Sequence, residues 1–201
     1  MPTDLAQLLV ELEEFGREND ASTVDRRRKM LNLERETATL IHILVRASIR
    51  KNILEIGTSN AFSTLWLADA IRPFTAAHIT SIERDPMKLT MARHNVRQAG
   101  FEHIVTLLAG EASEIVKRLH GPYDCVFFDA DRVSAPEQLQ DLLPKLSDNV
   151  FLLCDNVLSH PAEVASYLAA VQSLPGFSSI AVLIGKGLHI AFRHSSGETV
   201  G

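Results

Sequence analysis

Cysteine is scarce, with only Cys125 and Cys154 in 201 residues. Each lies inside an apolar run and neither has the spacing of metal ligands. That excludes a disulfide framework or a thiolate zinc site, and it predicts buried, reduced thiols in a cytoplasmic setting. No apolar run approaches the ~20 residues needed to span a bilayer. The start, Met1-Pro2-Thr3-Asp4, opens an acidic amphipathic stretch, not the basic-then-apolar order of an export signal. A membrane partner is therefore not expected. Nor is there an excess of positive charge. The formal net charge is -5, which argues against a nucleic-acid partner. The one basic run, Arg26-Arg27-Arg28-Lys29, reads first as a solvated helix face and second as a grip on an anionic substrate tail. Repeats, linkers and low-complexity tracts are absent as well.

The chain is long enough for one domain with a continuous core, and 46% of its residues are apolar. Residues 4–18 predict an amphipathic helix with Leu5, Leu8, Leu9, Leu12 and Phe15 on one face. Residues 19–33 read as a polar connection. Residues 34–49 predict a second helix with Thr39, Leu40, Ile43 and Leu44 facing inward. From residue 51 short apolar runs at 52–56, 78–83, 103–108, 123–128 and 149–154 alternate with helical stretches at 63–72, 86–99, 111–119, 135–144 and 161–173. This alternation predicts a parallel sheet with helices on both faces. Asp85-Pro86 reads as an N-cap followed by proline at the first helical position. Gly100 reads as a helix C-terminal stop, and Pro136 fits the first turn of its helix. The end departs from the pattern: two apolar runs, 178–184 and 187–192, flank Gly185-Lys186-Gly187, as in a hairpin. The expected fold is thus a doubly wound, mostly parallel α/β sheet of seven strands that finishes in an antiparallel hairpin. Residues 1–50 form a helical cover, 51–193 the core and 194–201 a tail, in a single domain.

One constellation points to a nucleotide-like ligand. The first core strand ends at Glu55-Ile56-Gly57, and a helix begins near Ser63. Gly57 permits a tight turn where a ligand approaches the backbone. Ser63 is placed to cap the helix or to bond a ligand carboxylate. The stretch is not G-x-G-x-x-G, because Ala61 stands where a second glycine would help, so it is a poor dinucleotide fingerprint. The second strand ends at Glu83, where a carboxylate can accept hydrogen bonds from both ribose hydroxyls. Gly110-Glu111-Ala112 follow the third strand, where main-chain donors and small side chains suit a flat base. Trp66 reads as core, and Phe62 as either a neighbour of the ligand or an anchor of the turn.

Read in order, these motifs resemble the catechol and caffeoyl-CoA O-methyltransferase family. The resemblance runs through Leu54-Glu55-Ile56-Gly57-Thr58-Ser59, Phe62-Ser63-Thr64-Leu65-Trp66-Leu67-Ala68, Ser81-Ile82-Glu83-Arg84-Asp85-Pro86 and Ala92-Arg93-His94-Asn95. It continues through Gly110-Glu111-Ala112, Phe127-Phe128-Asp129-Ala130-Asp131, Asp155-Asn156-Val157-Leu158 and Ile184-Gly185-Lys186-Gly187-Leu188, and covers roughly residues 25–193. It implies the class I methyltransferase architecture, with S-adenosylmethionine held by Glu55, Gly57, Ser63, Glu83, Gly110, Glu111, Ala112 and Asp129. It also implies Mg²⁺ or another divalent cation at Asp129, Asp155 and Asn156, three oxygen-bearing side chains at adjacent strand ends. The acceptor would be a small hydroxylated, catechol-like aromatic, and the assembly a homodimer.

The chain departs from that family at the acceptor side. Arg132 stands where a lysine is usual. Arginine stays protonated, which makes it a poor base but a good charge partner for a phenolate. The tyrosines that commonly follow are replaced by Val133-Ser134-Ala135-Pro136, and a glycine pair before the fifth strand by Ser147-Asp148. His160 could accept a proton or add a ligand, or could simply start its helix. The other histidines form no ligand-spaced cluster. Rival readings are a methyltransferase that needs no metal or uses another acceptor, a binding protein that keeps the donor pocket without catalysis, and a nicotinamide-dependent oxidoreductase.

Overall fold

The computed structural model describes residues 4–194, so all of the expected tail except His194 lies outside the described residues. Helices α1 (Leu5–Ser22) and α2 (Arg35–Ala47) precede an alternating core. The core runs β1 (Asn52–Ile56), α3 (Phe62–Ile71), β2 (His78–Glu83), α4 (Pro86–Gln98), β3 (Val105–Ala109), α5 (Ala112–Arg118), β4 (Tyr123–Phe128), α6 (Ala135–Leu142), β5 (Leu146–Cys154) and α7 (Pro161–Ser173). The chain then closes with β6 (Phe177–Val182) and β7 (Leu188–Arg193). The seven strands lie in the order β3-β2-β1-β4-β5-β7-β6. β1 to β5 are parallel, and β7 inserts antiparallel between β5 and β6.

The parallel strands are apolar on both faces because helices cover both. Ile53, Cys125 and Phe127 join one core with α1 to α4. Leu54, Ile56, Val126 and Phe128 join the opposite core with α5 to α7. The order in which strands are added to the sheet reverses between β1 and β4, which are neighbours. A crevice opens at the carboxyl ends of the strands at such a switch point, and ligands of open α/β sheets bind there.

The helix ends follow the expected chemistry. Asp85 caps α4 by accepting from the N–H groups of Met87 at 2.8 Å and Lys88 at 3.2 Å. Gly100 has a φ of 75° after that helix, and Pro136 sits in the first turn of α6. Cys125 and Cys154 are both free and buried.

Four expectations are corrected. α1 runs on to Ser22, through residues whose polarity hid it. The Asp20 carboxylate on its last turns accepts from the main chain of Met30 at 2.6 Å and Leu31 at 2.9 Å, so the polar end is held by hydrogen bonds and not by apolar burial. Its inner stripe is Leu8, Leu9, Leu12 and Gly16; Phe15 is 42% exposed. In α2 the buried residues are Thr37, Ala38, Ile41 and Val45, and Ile43 is 54% exposed. Apolar residues are so dense along α2 that periodicity admits two stripes, and the buried one is that of Ala38, Ile41 and Val45. β5 begins at Leu146, three residues before the apolar run, because its polar start still pairs: Leu146 lies opposite Tyr123 across a register shift.

Candidate active site

A cavity of about 970 Å³ opens at the carboxyl ends of β1 to β4 and is roofed by residues 25–33. Its floor is the turn after β1. Gly57 has a φ of 104°, and a Cβ there would strike the carbonyl oxygen of Asp129. Ser59 and Ala61 also take left-handed φ values, 48° and 71°. Ala61 thus adopts the conformation that glycine prefers, at a cost of about 1–2 kcal/mol, and its burial holds it there. Asn60 steadies the bend: its side chain accepts from Phe62 N–H at 3.2 Å, and its carbonyl accepts from the Asn95 amide at 2.7 Å.

Glu83, at the end of β2, faces the same cavity. Its Oε2 accepts from Ser59 N–H at 2.8 Å and its Oε1 from Asp85 N–H at 2.8 Å. Each carboxylate oxygen keeps a lone pair for a ligand hydroxyl. Gly110, with a φ of 137°, Glu111 and Ala112 form the next wall, and Arg84 pairs with Glu111 at 3.6 Å on the rim.

Two expected ligand contacts are relocated. Glu55 is fully buried on the α3 side of the sheet and does not line the cavity. It accepts hydrogen bonds from Ser63 Oγ at 2.6 Å, Thr64 Oγ1 at 2.5 Å and Ser81 Oγ at 2.5 Å. Burial pushes its carboxyl up to about 7 against the pull of those three hydroxyls. Ser63 reaches the cavity wall, but its hydroxyl is spent on Glu55, and α3 has no side-chain cap at Ala61. Phe62 is buried and borders the cavity, whereas Trp66 packs edge-on against His42 with ring centroids 5.9 Å apart.

The opposite part of the cavity is built from the ends of β4 and β5. Asp129 lines the cavity, and Asp155, 3% exposed, lies behind it. Burial and the neighbouring Asp155 hold the Asp129 carboxyl well above the usual carboxylate range. Burial lifts Asp155 to about 6. Asn156, with a φ of 69°, donates its amide N–H to Asp155 Oδ2, and Asp155 Oδ1 is buried without a partner. Arg132, with only 11% of its side chain exposed, donates from Nη1 to Asn156 Oδ1 at 2.8 Å. Its Nε and Nη2 both reach Glu163 Oε2, at 2.9 and 2.8 Å. His160 starts α7 at the cavity wall, with Nδ1 2.9 Å from Ser159 Oγ. Burial and the nearby Arg132 charge lower its pKa, which favours the neutral imidazole.

The hairpin turn adds Lys186, which reading the turn as a plain connector missed. Its ammonium is 2.6 Å from Glu34 Oε1, and Glu34, Asp155 and Asp129 all raise its pKa. The turn is tied to the loop after β5: Val157 N–H donates to Gly187 O at 3.1 Å, and the N–H groups of Leu158 and Ser159 donate to Lys186 O at 2.9 and 3.2 Å. Arg26 and Arg27 of the basic run also line the cavity roof, an exposed one-turn helix and not a long solvated face. Only the paired glycines around Lys186 signalled a shaped turn; nothing local marked Glu34.

The sequence profile of a family described as O-methyltransferase matches residues 5–172. The chain belongs to the O-methyltransferase family. Among relatives of this family member, the catechol O-methyltransferase of Niastella koreensis is 34% identical over 122 residues, which is 59% of this chain and 54% of that protein. The catechol O-methyltransferase of Mycobacterium tuberculosis is 32% identical over 117 residues, 58% of this chain and 52% of that protein. The matched region spans about half the length of these relatives. The Bacillus cereus O-methyltransferase, solved with SAH, superposes with a TM-score of 0.80 at 20% identity, covering 96% of this chain and 92% of that one. The Streptomyces achromogenes O-methyltransferase TomG, solved with SAM, gives 0.80 at 23% identity, covering 93% and 89%. These two likenesses establish the methyltransferase fold.

Proposed function

We propose that this chain transfers the methyl group of S-adenosylmethionine to a hydroxyl of a small, catechol-like acceptor. The observation that carries the reading is Glu83 beside the Gly57 turn, with both carboxylate oxygens fixed by main-chain N–H groups and open to the cavity. The Gly57 turn lines the cavity and packs directly on the Asp129 backbone, where a side chain would not fit.

The chemistry divides among the residues present. When bound, S-adenosylmethionine supplies a methyl already activated on a sulfonium, so the protein's task is positioning and exclusion of water. Glu83 would hold the ribose hydroxyls, and Gly110 to Ala112 would face the base. His160, kept neutral, is the proton acceptor for the acceptor hydroxyl. Arg132 is the fixed positive charge for the developing oxyanion.

The divalent cation is a weaker fit. Asp129 at the cavity wall and the buried Asp155 are the two carboxylates that would face it. Asn156, the third expected ligand, has its oxygen on Arg132 and its nitrogen on Asp155. No catalytic step is therefore assigned to a cation. The reading also includes a homodimer, which light scattering of the purified chain would test.

Titration calorimetry with S-adenosylhomocysteine and with NAD tests the donor assignment. Binding of the first alone supports it, and binding of NAD alone sinks it. Transfer of labelled methyl from S-adenosylmethionine across a panel of phenols and catechols tests the reaction. Donor binding with no transfer to any acceptor would favour a binding protein.

A further inference from the structure

We propose that Arg132 takes the place of a divalent cation in this site, so that the chain needs no metal for methyl transfer. The inference rests on the methyltransferase reading above and concerns the charge that receives the acceptor oxygen. A guanidinium carries five N–H donors in a rigid plane and keeps its charge at any physiological pH. Three of the five are committed: Nε and Nη2 to Glu163, and Nη1 to Asn156. Two remain, on a group that lines the cavity with 11% of its side chain exposed. That is the donor set for one oxyanion or for two adjacent oxygens.

The same bonds disable the alternative. A hard cation needs oxygens that converge and are otherwise free. Asn156 Oδ1 is the oxygen that Arg132 occupies, and the amide is turned so that its nitrogen binds Asp155. Two organic cations, Arg132 and Lys186, already line the cavity together with Asp129. Glu163 fixes Arg132 from the side away from Asn156, so the guanidinium is a built-in feature and not a stray surface charge.

The reaction balances without a metal. The acceptor oxygen uses a lone pair to form the carbon–oxygen bond while the carbon–sulfur bond breaks and its electron pair stays on sulfur. The hydroxyl proton passes to the His160 imidazole, and the departing thioether is neutral. Arg132 contributes the charge that steadies the oxygen before transfer.

The test pairs a binding measurement with a rate. Purified protein stripped with EDTA is titrated with Mn²⁺ by electron paramagnetic resonance, for the wild type, Arg132→Ala and Arg132→Lys. Calorimetry with S-adenosylhomocysteine reports in parallel that the donor pocket is intact. We expect the wild type to leave millimolar Mn²⁺ free and to keep its methyl-transfer rate in EDTA. Arg132→Ala should gain a Mn²⁺ site, keep donor binding, and lose about a hundredfold in rate in EDTA. Arg132→Lys, whose single ammonium cannot span Glu163 and Asn156, should fall between the two. Micromolar Mn²⁺ binding by the wild type, or abolition of its activity by EDTA that Mn²⁺ restores, overturns the proposal. If no acceptor is methylated at all, the methyltransferase reading fails by itself, and the Mn²⁺ titration still decides whether Arg132 occupies the cation's place.

Discussion

The main-chain N–H of Ser59 lies 2.8 Å from Glu83 Oε2, which joins the turn after β1 to the end of β2. One carboxylate therefore shapes the turn and lines the cavity, where the proposed function makes it the anchor of the donor. Replacement of Glu83 by Ala should cost roughly 3 kcal/mol of donor binding, on the order of a hundredfold, from lost hydrogen bonds to a charged acceptor. Calorimetry with S-adenosylhomocysteine measures it. An unchanged affinity would remove Glu83 from the donor site.

Glu55 is predicted to be a structural anchor, so its two substitutions should differ. Glu55→Ala leaves the hydroxyls of Ser63, Thr64 and Ser81 buried without their acceptor. Each such orphan costs about 1–3 kcal/mol, and a loss of at least 3 kcal/mol is expected in urea unfolding. Glu55→Gln keeps an acceptor and should lose much less.

The same residue makes a pH signature. Its folded pKa is raised to about 7 from an ordinary 4.5. The folded state then holds a proton that the unfolded state has released, so the contribution is complete below the unfolded value. It is lost as pH rises through about 7, and amounts to roughly 3 kcal/mol across that window. Stability of the wild type minus that of Glu55→Gln, measured between pH 4.5 and 7.5, should fall by this order. A flat difference would mean that Glu55 is charged in the fold.

Gly57→Ala should damage both stability and binding. The backbone there is left-handed, and the new Cβ meets the Asp129 carbonyl. A loss above about 2 kcal/mol is expected, or roughly 4–8 °C in melting temperature for a chain of this size. Donor binding should vanish with it. Thermal scans with and without S-adenosylhomocysteine check both parts.

On the proposed function, His160→Ala should reduce kcat by about 10²–10⁴, the usual worth of a positioned base, with donor affinity unchanged. A rate within a few-fold of wild type would assign the proton to solvent.

Much of this was legible because apolar runs were short and sharply bounded. Strands 52–56, 78–83 and 123–128 and the helix at 161–173 coincide with the observed elements. Glu83 was legible because it ends such a run. Glu55 was not, because β1 is apolar on both faces: Ile53, Leu54 and Ile56 give no parity from which to tell where the carboxylate points. The last turn of α1 carries no apolar stripe, so its helicity showed only once Asp20 was seen to hold Met30 and Leu31. Arg132 was visible as a departure, but its bonds to Glu163 and Asn156 join segments 24 and 31 residues apart and follow only from the fold.

The three main-chain hydrogen bonds that lace residues 157–159 to Lys186 and Gly187 bear on how these segments could be exchanged. The loop that carries the approach to His160 and the turn that carries Lys186 share one set of donors and acceptors, so neither can be exchanged between relatives as an independent cassette. A chimera that swaps the hairpin turn alone leaves the loop's N–H groups facing foreign geometry. The two segments, nearly thirty residues apart, form one structural unit and must be exchanged together.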